Sequence, residues 1–117
     1  MSIYDSRKQI QKLIDESSYG LVKGDIYNEL SELRIDNDFI TEINVNSEKR
    51  EITFKIKNEA KNKIDNLIEQ INEVIKSFIY KNLKNINDEF KNDIESQYCF
   101  DKYIFDSGEE ILLIIQL

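Results

Sequence analysis

The chain has 117 residues and a formal net charge of −7 at pH 7; 33% of its residues are charged and 40% are hydrophobic. This balance is typical of a folded domain and excludes a disordered chain, which has too little apolar surface to form a core. The chain has no histidine and one cysteine, so it fits few of the common hydrolase, transferase and zinc-site chemistries. We therefore expect a protein that binds rather than catalyses, with no cofactor and no metal.

Three further features predict where the protein resides. Cys99 has no second cysteine to pair with, so the fold needs no oxidising compartment. No apolar run follows the charges of residues 1–7, so we do not expect a signal peptide there. The longest apolar stretch, residues 111–115, is far too short to span a bilayer. We expect a cytoplasmic protein with a single domain over residues 1–117.

The charge falls into three blocks along the chain. Residues 1–48 carry five basic and ten acidic side chains, residues 49–84 carry nine and five, and residues 85–117 carry two and eight. An acidic protein is repelled by nucleic acid and anionic membranes and attracted to basic protein surfaces. The middle block is the exception, because its own net charge is positive.

The first third of the chain predicts two helices. Asp5 or Ser6 can cap the first helix, and Gly20 can end it, since glycine adopts the left-handed cap conformation without steric penalty. Asp25 can cap a second, short helix. The apolar residues of the two helices recur at helical spacing: Ile10, Leu13, Ile14, Ile26, Leu30 and Leu33. Residues 36–38 predict a turn.

Alternating residues then predict a β-hairpin, with strands over residues 39–45 and 50–57 and a polar loop over residues 46–49. Apolar positions in each strand share one side, which is typical of a sheet with one buried face. These positions are Phe39, Ile43 and Val45 in the first strand and Ile52, Phe54 and Ile56 in the second.

The longest periodic segment, residues 59–84, predicts a helix capped by Asn58. Its apolar stripe consists of Ile64, Leu67, Ile68, Ile71, Val74, Ile75, Phe78, Ile79 and Leu83. A further helix is predicted around Ile86, Phe90 and Ile94. The helix-breaking signal over residues 85–88 is weak, so the alternative is that the long helix continues through a kink.

A second hairpin is predicted at the end of the chain. Residues 98–105 are aromatic and strand-like, and residues 106–108 suit a type I turn with Gly108 in the bulge position. Residues 111–117 are apolar on both sides, which favours a strand at the centre of a sheet. The alternative is an edge strand covered by another chain.

The resulting element order is α-α-β-β-α-α-β-β. It predicts an α+β fold with a four-stranded, mainly antiparallel sheet made of two hairpins and about four helices.

Three groups of residues resemble chemical sites only weakly. Asp36 and Asp38 match the start of a calcium loop, but Ile40 stands at the fifth position and the required glycine is absent, so a turn is favoured. Cys99 has no histidine to activate it and is expected to be a small buried hydrophobe. A basic stretch lacks the aromatic residues of nucleic-acid surfaces, which favours either pairing with the acidic blocks or a plain role in solubility. It consists of Lys49, Arg50, Lys55, Lys57, Lys61 and Lys63.

Acidic and aromatic residues of the last block predict a protein interface. The carboxylates around residues 88–95 do not converge on one point, so they form a solvated helix face or an acidic docking patch. The aromatic residues of positions 98–105 occupy both sides of a strand; they pack within the sheet or act as anchors with an acidic rim. The predicted partner-binding residues are Asp88, Glu89, Asp93, Glu95, Tyr98, Asp101, Tyr103, Asp106, Glu109 and Glu110.

The expected function is that of a small acidic inhibitor. We expect an immunity protein or antitoxin whose partner is a basic protein, a toxin or nuclease, and not nucleic acid or a membrane. Abundant isoleucine, lysine and asparagine share A- and T-rich codons and indicate a low-GC bacterium or phage. Two alternatives stay open: a phage anti-defence protein that mimics nucleic acid, and an acidic secretion chaperone that forms a homodimer through the last strand or the long helix. An enzyme using carboxylates alone is least favoured.

Overall fold

The computed structural model describes residues 3–84, 86–96 and 98–117, so Met1, Ser2, Asn85 and Gln97 lie outside the described part. The strands are β1 (Ile40–Asn46), β2 (Glu51–Lys57), β3 (Asp101–Asp106) and β4 (Glu110–Gln116). The helices are α1 (Ile3–Ser18), α2 (Ile26–Ser31), α3 (Leu33–Asp36), α4 (Ile64–Asn82) and α5 (Asp88–Ser96), and a 3₁₀ segment (Asn58–Lys63) precedes α4. The four strands form one antiparallel sheet in the order β1-β2-β4-β3, which confirms the predicted α+β fold and element order.

The predicted end of α1 is confirmed, but its predicted start is wrong. Gly20 has a φ of 73°, and the Leu21 and Gly20 amides donate to the carbonyls of Glu16 (2.9 Å) and Ser17 (3.0 Å), as in a Schellman motif. The helix begins at Ile3, so Ser6 lies inside it rather than at its cap. The Ser6 hydroxyl instead donates to Asp93 Oδ2 at 3.0 Å.

The second predicted helix is divided into α2 and α3. Asp25 caps α2 as predicted, because its Oδ1 accepts a hydrogen bond from the Tyr27 amide at 2.9 Å. Leu33 falls in α3, which is a single turn after Glu32.

The long predicted helix begins later than expected. Residues 58–63 form the 3₁₀ segment, in which Ala60 has non-helical dihedrals (φ −99°, ψ 18°) and is buried in the core. The kinked continuation into α5 is wrong: Leu83 is extended, and Asn87 caps α5 by accepting from the Phe90 amide at 2.7 Å. Asn85, the first residue of the predicted break, lies outside the described residues.

The first hairpin is confirmed, with one local correction. The pairing of β1 with β2 shifts by one residue between Ile40 and Glu42, as in a β-bulge. Because of this bulge, Phe39 and Ile40 are both buried, and Phe39 lies before the strand instead of continuing its alternation. Val45 shares the side of the core residues as predicted but is 45% exposed near the end of the strand.

Helices cover only one face of the sheet. On that face, alternate residues of β2 and β4 are fully buried in one core with the helices: Ile52, Phe54, Ile56, Ile111, Leu113 and Ile115. No residue on the opposite face of the four strands is buried. β4 lies between β2 and β3, so the prediction that it is central is confirmed and the edge alternative is wrong.

A pair of adjacent leucines tests this arrangement. Leu113 faces the helices and is fully buried, whereas Leu112 points to the open face and is half-buried. We expect Leu113→Ala to lower the free energy of unfolding by about 2–5 kcal/mol, because it leaves a cavity in the core. Leu112→Ala should cost about 1 kcal/mol or less, because this half-buried side chain leaves no enclosed cavity when it is shortened. Urea denaturation of both variants measures the difference, and equal losses would contradict a sheet that is covered on one face.

Candidate functional site

Asp93 and Glu95, two acidic residues predicted to bind a partner, form contacts within the protein that fasten α5 to its neighbours. Asp93 accepts the hydrogen bond from Ser6 in α1, and Glu95 accepts from the Tyr80 hydroxyl in α4 at 2.5 Å. Lys76 Nζ also lies 3.4 Å from Glu95 Oε2. The hydrogen bond from Tyr80, and then the hydrogen bond and charge of Lys76, lower the pKa of Glu95.

The other two acidic residues of α5, Asp88 and Glu89, lie in its exposed first turn. Negative charge is favourable there, because the helix dipole is positive at its N-terminal end.

Tyr98 is also engaged by contacts within the protein, although its side chain is partly exposed. Its hydroxyl donates to Glu69 Oε1 at 2.5 Å, and its ring lies 5.2 Å from the buried ring of Phe100. Lys102 Nζ stands 4.3 Å from the centroid of the Tyr98 ring, as in a cation–π contact. The hydrogen bond to Glu69, with partial burial, raises the pKa of Tyr98.

The acidic residues of the second hairpin lie at its two ends. Asp101 pairs with Arg7 of α1 at 3.3 Å. Asp106 pairs with Lys61 at 3.0 Å and accepts hydrogen bonds from the Gly108 amide (2.8 Å) and Asn58 (2.9 Å). The Gly108 amide and then Lys61 lower the pKa of Asp106.

The remaining two predicted acids, Glu109 and Glu110, follow the turn. Among the described residues, neither of them forms an ion pair.

The predicted pairing of the basic stretch with the acidic blocks is confirmed at three positions. Arg50 lies 3.0 Å from Asp15, Lys55 lies 2.8 Å from Glu42, and Lys61 contacts Asp106. These pairs join the positive block 49–84 to the two negative blocks on either side of it.

The open face of the sheet carries an apolar surface that the predicted site includes only in part. Tyr103 pairs with Ile114 and Phe105 pairs with Leu112, so the four side chains lie together on this face. Tyr103 is 49% and Phe105 is 57% exposed, whereas Leu112 and Ile114 are half-buried. We call these four residues the aromatic patch.

Polar residues border the aromatic patch at both ends. Asp101 and Gln116 form the pair next to Tyr103 and Ile114, and Glu110 follows Leu112 at the other end. Tyr103 is the one predicted interface residue inside the patch. Phe105 was recognisable from its alternation with Tyr103, and Leu112 and Ile114 from the second apolar side of β4.

A cleft beside Arg7 and the Cys99 thiol are two other features that could hold a ligand or react, but neither is arranged to do so. The cleft has a volume of about 310 Å³ and is lined by Arg7, Arg50 and Asp101 among others, but each arginine is already paired with an aspartate. Cys99 is buried as predicted, and this burial raises the pKa of its thiol, so the reactive thiolate is disfavoured.

No protein-family model, curated protein or solved structure matches this chain. In the described part of the chain, no helix combines the length and apolar character needed to cross a membrane. Over the same residues, no three acidic or cysteine side chains cluster in a way that could hold a metal ion. The aromatic patch is the candidate site because its exposed, contiguous apolar side chains suit contact with another macromolecule.

The contact between Tyr80 and Glu95 predicts a dependence of stability on pH. Because the pKa of Glu95 is lowered in the folded protein from its usual 4.5, this contact contributes stability above pH 4.5 and loses it as the pH falls through the lowered value. Tyr80→Phe should lower the free energy of unfolding at pH 7, and its difference from the unmodified protein should shrink below pH 4.5. Denaturation at several pH values measures this. A constant difference would contradict the assignment, and Tyr103→Phe is the control.

Proposed function

We propose that this protein binds another protein through the aromatic patch and acts as a stoichiometric inhibitor, an immunity protein or antitoxin, of an enzyme with a basic surface. The observation that carries the proposal is the pair of half-exposed aromatic rings, Tyr103 and Phe105, beside Leu112 and Ile114 on an uncovered sheet face. Large apolar side chains in one continuous exposed patch are typical of interaction sites.

The composition of the patch supports protein binding. Tyrosine and phenylalanine are enriched at interfaces, since each buries a large area and loses little conformational freedom. Energetic hot spots lie where such rings fill pockets of a partner, with a polar rim that excludes water. Here Asp101, Glu110 and Gln116 supply that rim.

Charge supports a basic partner. The net charge is −7, and Glu109 and Glu110 lie next to the patch without an ion pair among the described residues. Such charges raise the association rate with a positive surface and oppose association with nucleic acid. An enzyme that acts on an anionic polymer has a positively charged substrate-binding cleft. An acidic protein can block such a cleft.

A paired set of variants tests the proposal. In native-host lysate, the purified chain should capture one basic protein in equimolar amount, and it should inhibit the enzymatic activity of that protein at a one-to-one ratio. Tyr103→Ala with Phe105→Ala should weaken this binding at least about tenfold, because the anchors are lost. Tyr19→Ala with Leu21→Ala is the matched control, since these side chains are 80% and 73% exposed and lie far from β3 in sequence.

Further measurements test the role of charge, the position of the interface and the inhibitor function. Binding should weaken with salt, and Glu109→Lys with Glu110→Lys should remove most of that salt dependence. Equal capture by the patch variant and the control would show that the patch is not the interface. Capture without inhibition of the partner would overturn the inhibitor role.

A further inference from the structure

The outer edge of β3 is bare. β3 is the last strand of the sheet, all six of its residues are exposed, and no other described strand pairs with that edge. Ile104 points to the helix side of the sheet, yet it is 49% exposed, so the helical layer ends before β3. Proteins usually protect an edge with a proline, a bulge, a covering loop or charged side chains; β3 has no proline and no bulge, and its protection consists of the charges of Asp101, Lys102 and Asp106.

The backbone of β3 offers a regular set of hydrogen-bonding groups. Ser107 donates to the Glu110 carbonyl at 3.0 Å, which marks this pair as a hydrogen-bonded pair of the hairpin. Such pairs alternate along an antiparallel ladder. The amides and carbonyls of Lys102, Ile104 and Asp106 therefore point away from β4, toward the bare edge.

We propose that two copies of this chain pair through β3 in antiparallel orientation, centred on Ile104, to form one eight-stranded sheet. The proposal does not depend on the proposed function. In this register, Ile104 faces Ile104 of the second copy, and the outward backbone groups of both strands meet. In the same register, Lys102 of each copy faces Asp106 of the other copy, and Tyr103 of each copy faces Phe105 of the other copy.

Charge complementarity selects this register. Lys102 has only the uncharged Tyr98 ring as its contact, and no carboxylate partner among the described residues. Asp106 is ionised at neutral pH and already pairs with Lys61 of its own chain at 3.0 Å, but the Lys61 side chain is 69% exposed, so Lys102 of the second copy competes with a weak surface ion pair for this carboxylate. Opposite charges facing each other across two strands stabilise the pairing, and here the symmetry provides two such pairs.

The neighbouring registers lack this complementarity. Outward groups must face outward groups, and the two registers next to the one centred on Ile104 that meet this condition are centred on Tyr103 and on Phe105. A centre at Tyr103 places Lys102 opposite Ile104 and Asp101 opposite Phe105. A centre at Phe105 places Ile104 opposite Asp106. Both registers set a charge against an apolar side chain, and both lose the pair of opposite charges.

Charge reversal at Lys102 tests the dimer. A single-strand contact is small, so sedimentation should follow the purified chain from about 1 µM to about 1 mM. We expect a reversible dimer, and we expect Lys102→Glu to weaken it at least about tenfold, because both facing pairs become repulsive. Lys49→Glu is the matched control for net charge, since Lys49 lies in the loop of the other hairpin. A chain that stays monomeric throughout, or two variants with equal dimerisation, would overturn the proposal.

A cysteine scan tests the register. Facing residues of a hydrogen-bonded pair have Cα atoms about 5.5 Å apart, which a disulfide can span. Under mild oxidation, Ile104→Cys should form a covalent dimer, whereas Tyr103→Cys, which faces Phe105, should not. The unmodified chain is the control, because its own Cys99 is buried. Faster cross-linking at position 103 than at 104 would overturn the proposed register.

The two proposals can fail separately. Lys102 lies on the helix side of the sheet, so Lys102→Glu leaves the aromatic patch intact. Loss of the dimer with retained capture of a partner protein would separate the two surfaces. A dimer would place both aromatic patches on the same side of one continuous sheet.

Discussion

β4 is apolar on both faces, but the helices pack against only one of them, and the rest of the structure depends on this constraint. On the covered face, Ile111, Leu113 and Ile115 are fully buried beneath the helices. On the other face, Leu112 and Ile114 stay half-buried and adjoin exposed rings of β3. A single strand thus supplies both the centre of the core and the floor of the candidate binding surface. Substitutions in β4 therefore change either the core or the candidate binding surface, according to the side on which they fall.

The secondary structure follows from short-range patterns, so most of it was predictable. The alternation of Ile52, Phe54 and Ile56 requires only the geometry of an extended chain with one dry side. The ends at Gly20 and Asp25 require only local backbone preferences. Errors arose where packing overrides local preference: Ala60 enters the core and delays α4, and a bulge beside Ile40 buries two successive residues of the first hairpin.

The site was harder to predict, because it depends on contacts between distant parts of the chain. Asp93 meets Ser6 and Asp101 meets Arg7 across almost the whole sequence, so no local pattern indicates that these carboxylates are engaged inside the molecule. The sequence showed that residues 111–117 are apolar on both sides, but it could not show how far a helical layer extends. Only the strand order reveals that β3 lies beyond that layer and leaves Ile104 uncovered on the helix side.

The strand order also has a consequence for how the chain folds as it is synthesised. Each hairpin joins neighbouring residues, but the seam between β2 and β4 pairs residues 51–57 with residues 110–116. Closing such a long loop is slow, since its entropy must be lost before the contacts form. The first hairpin therefore leaves the ribosome long before its partner strand, with the edge of β2 still unpaired. During that interval the nascent chain is most exposed to aggregation, and its protection depends on how quickly residues 110–116 follow.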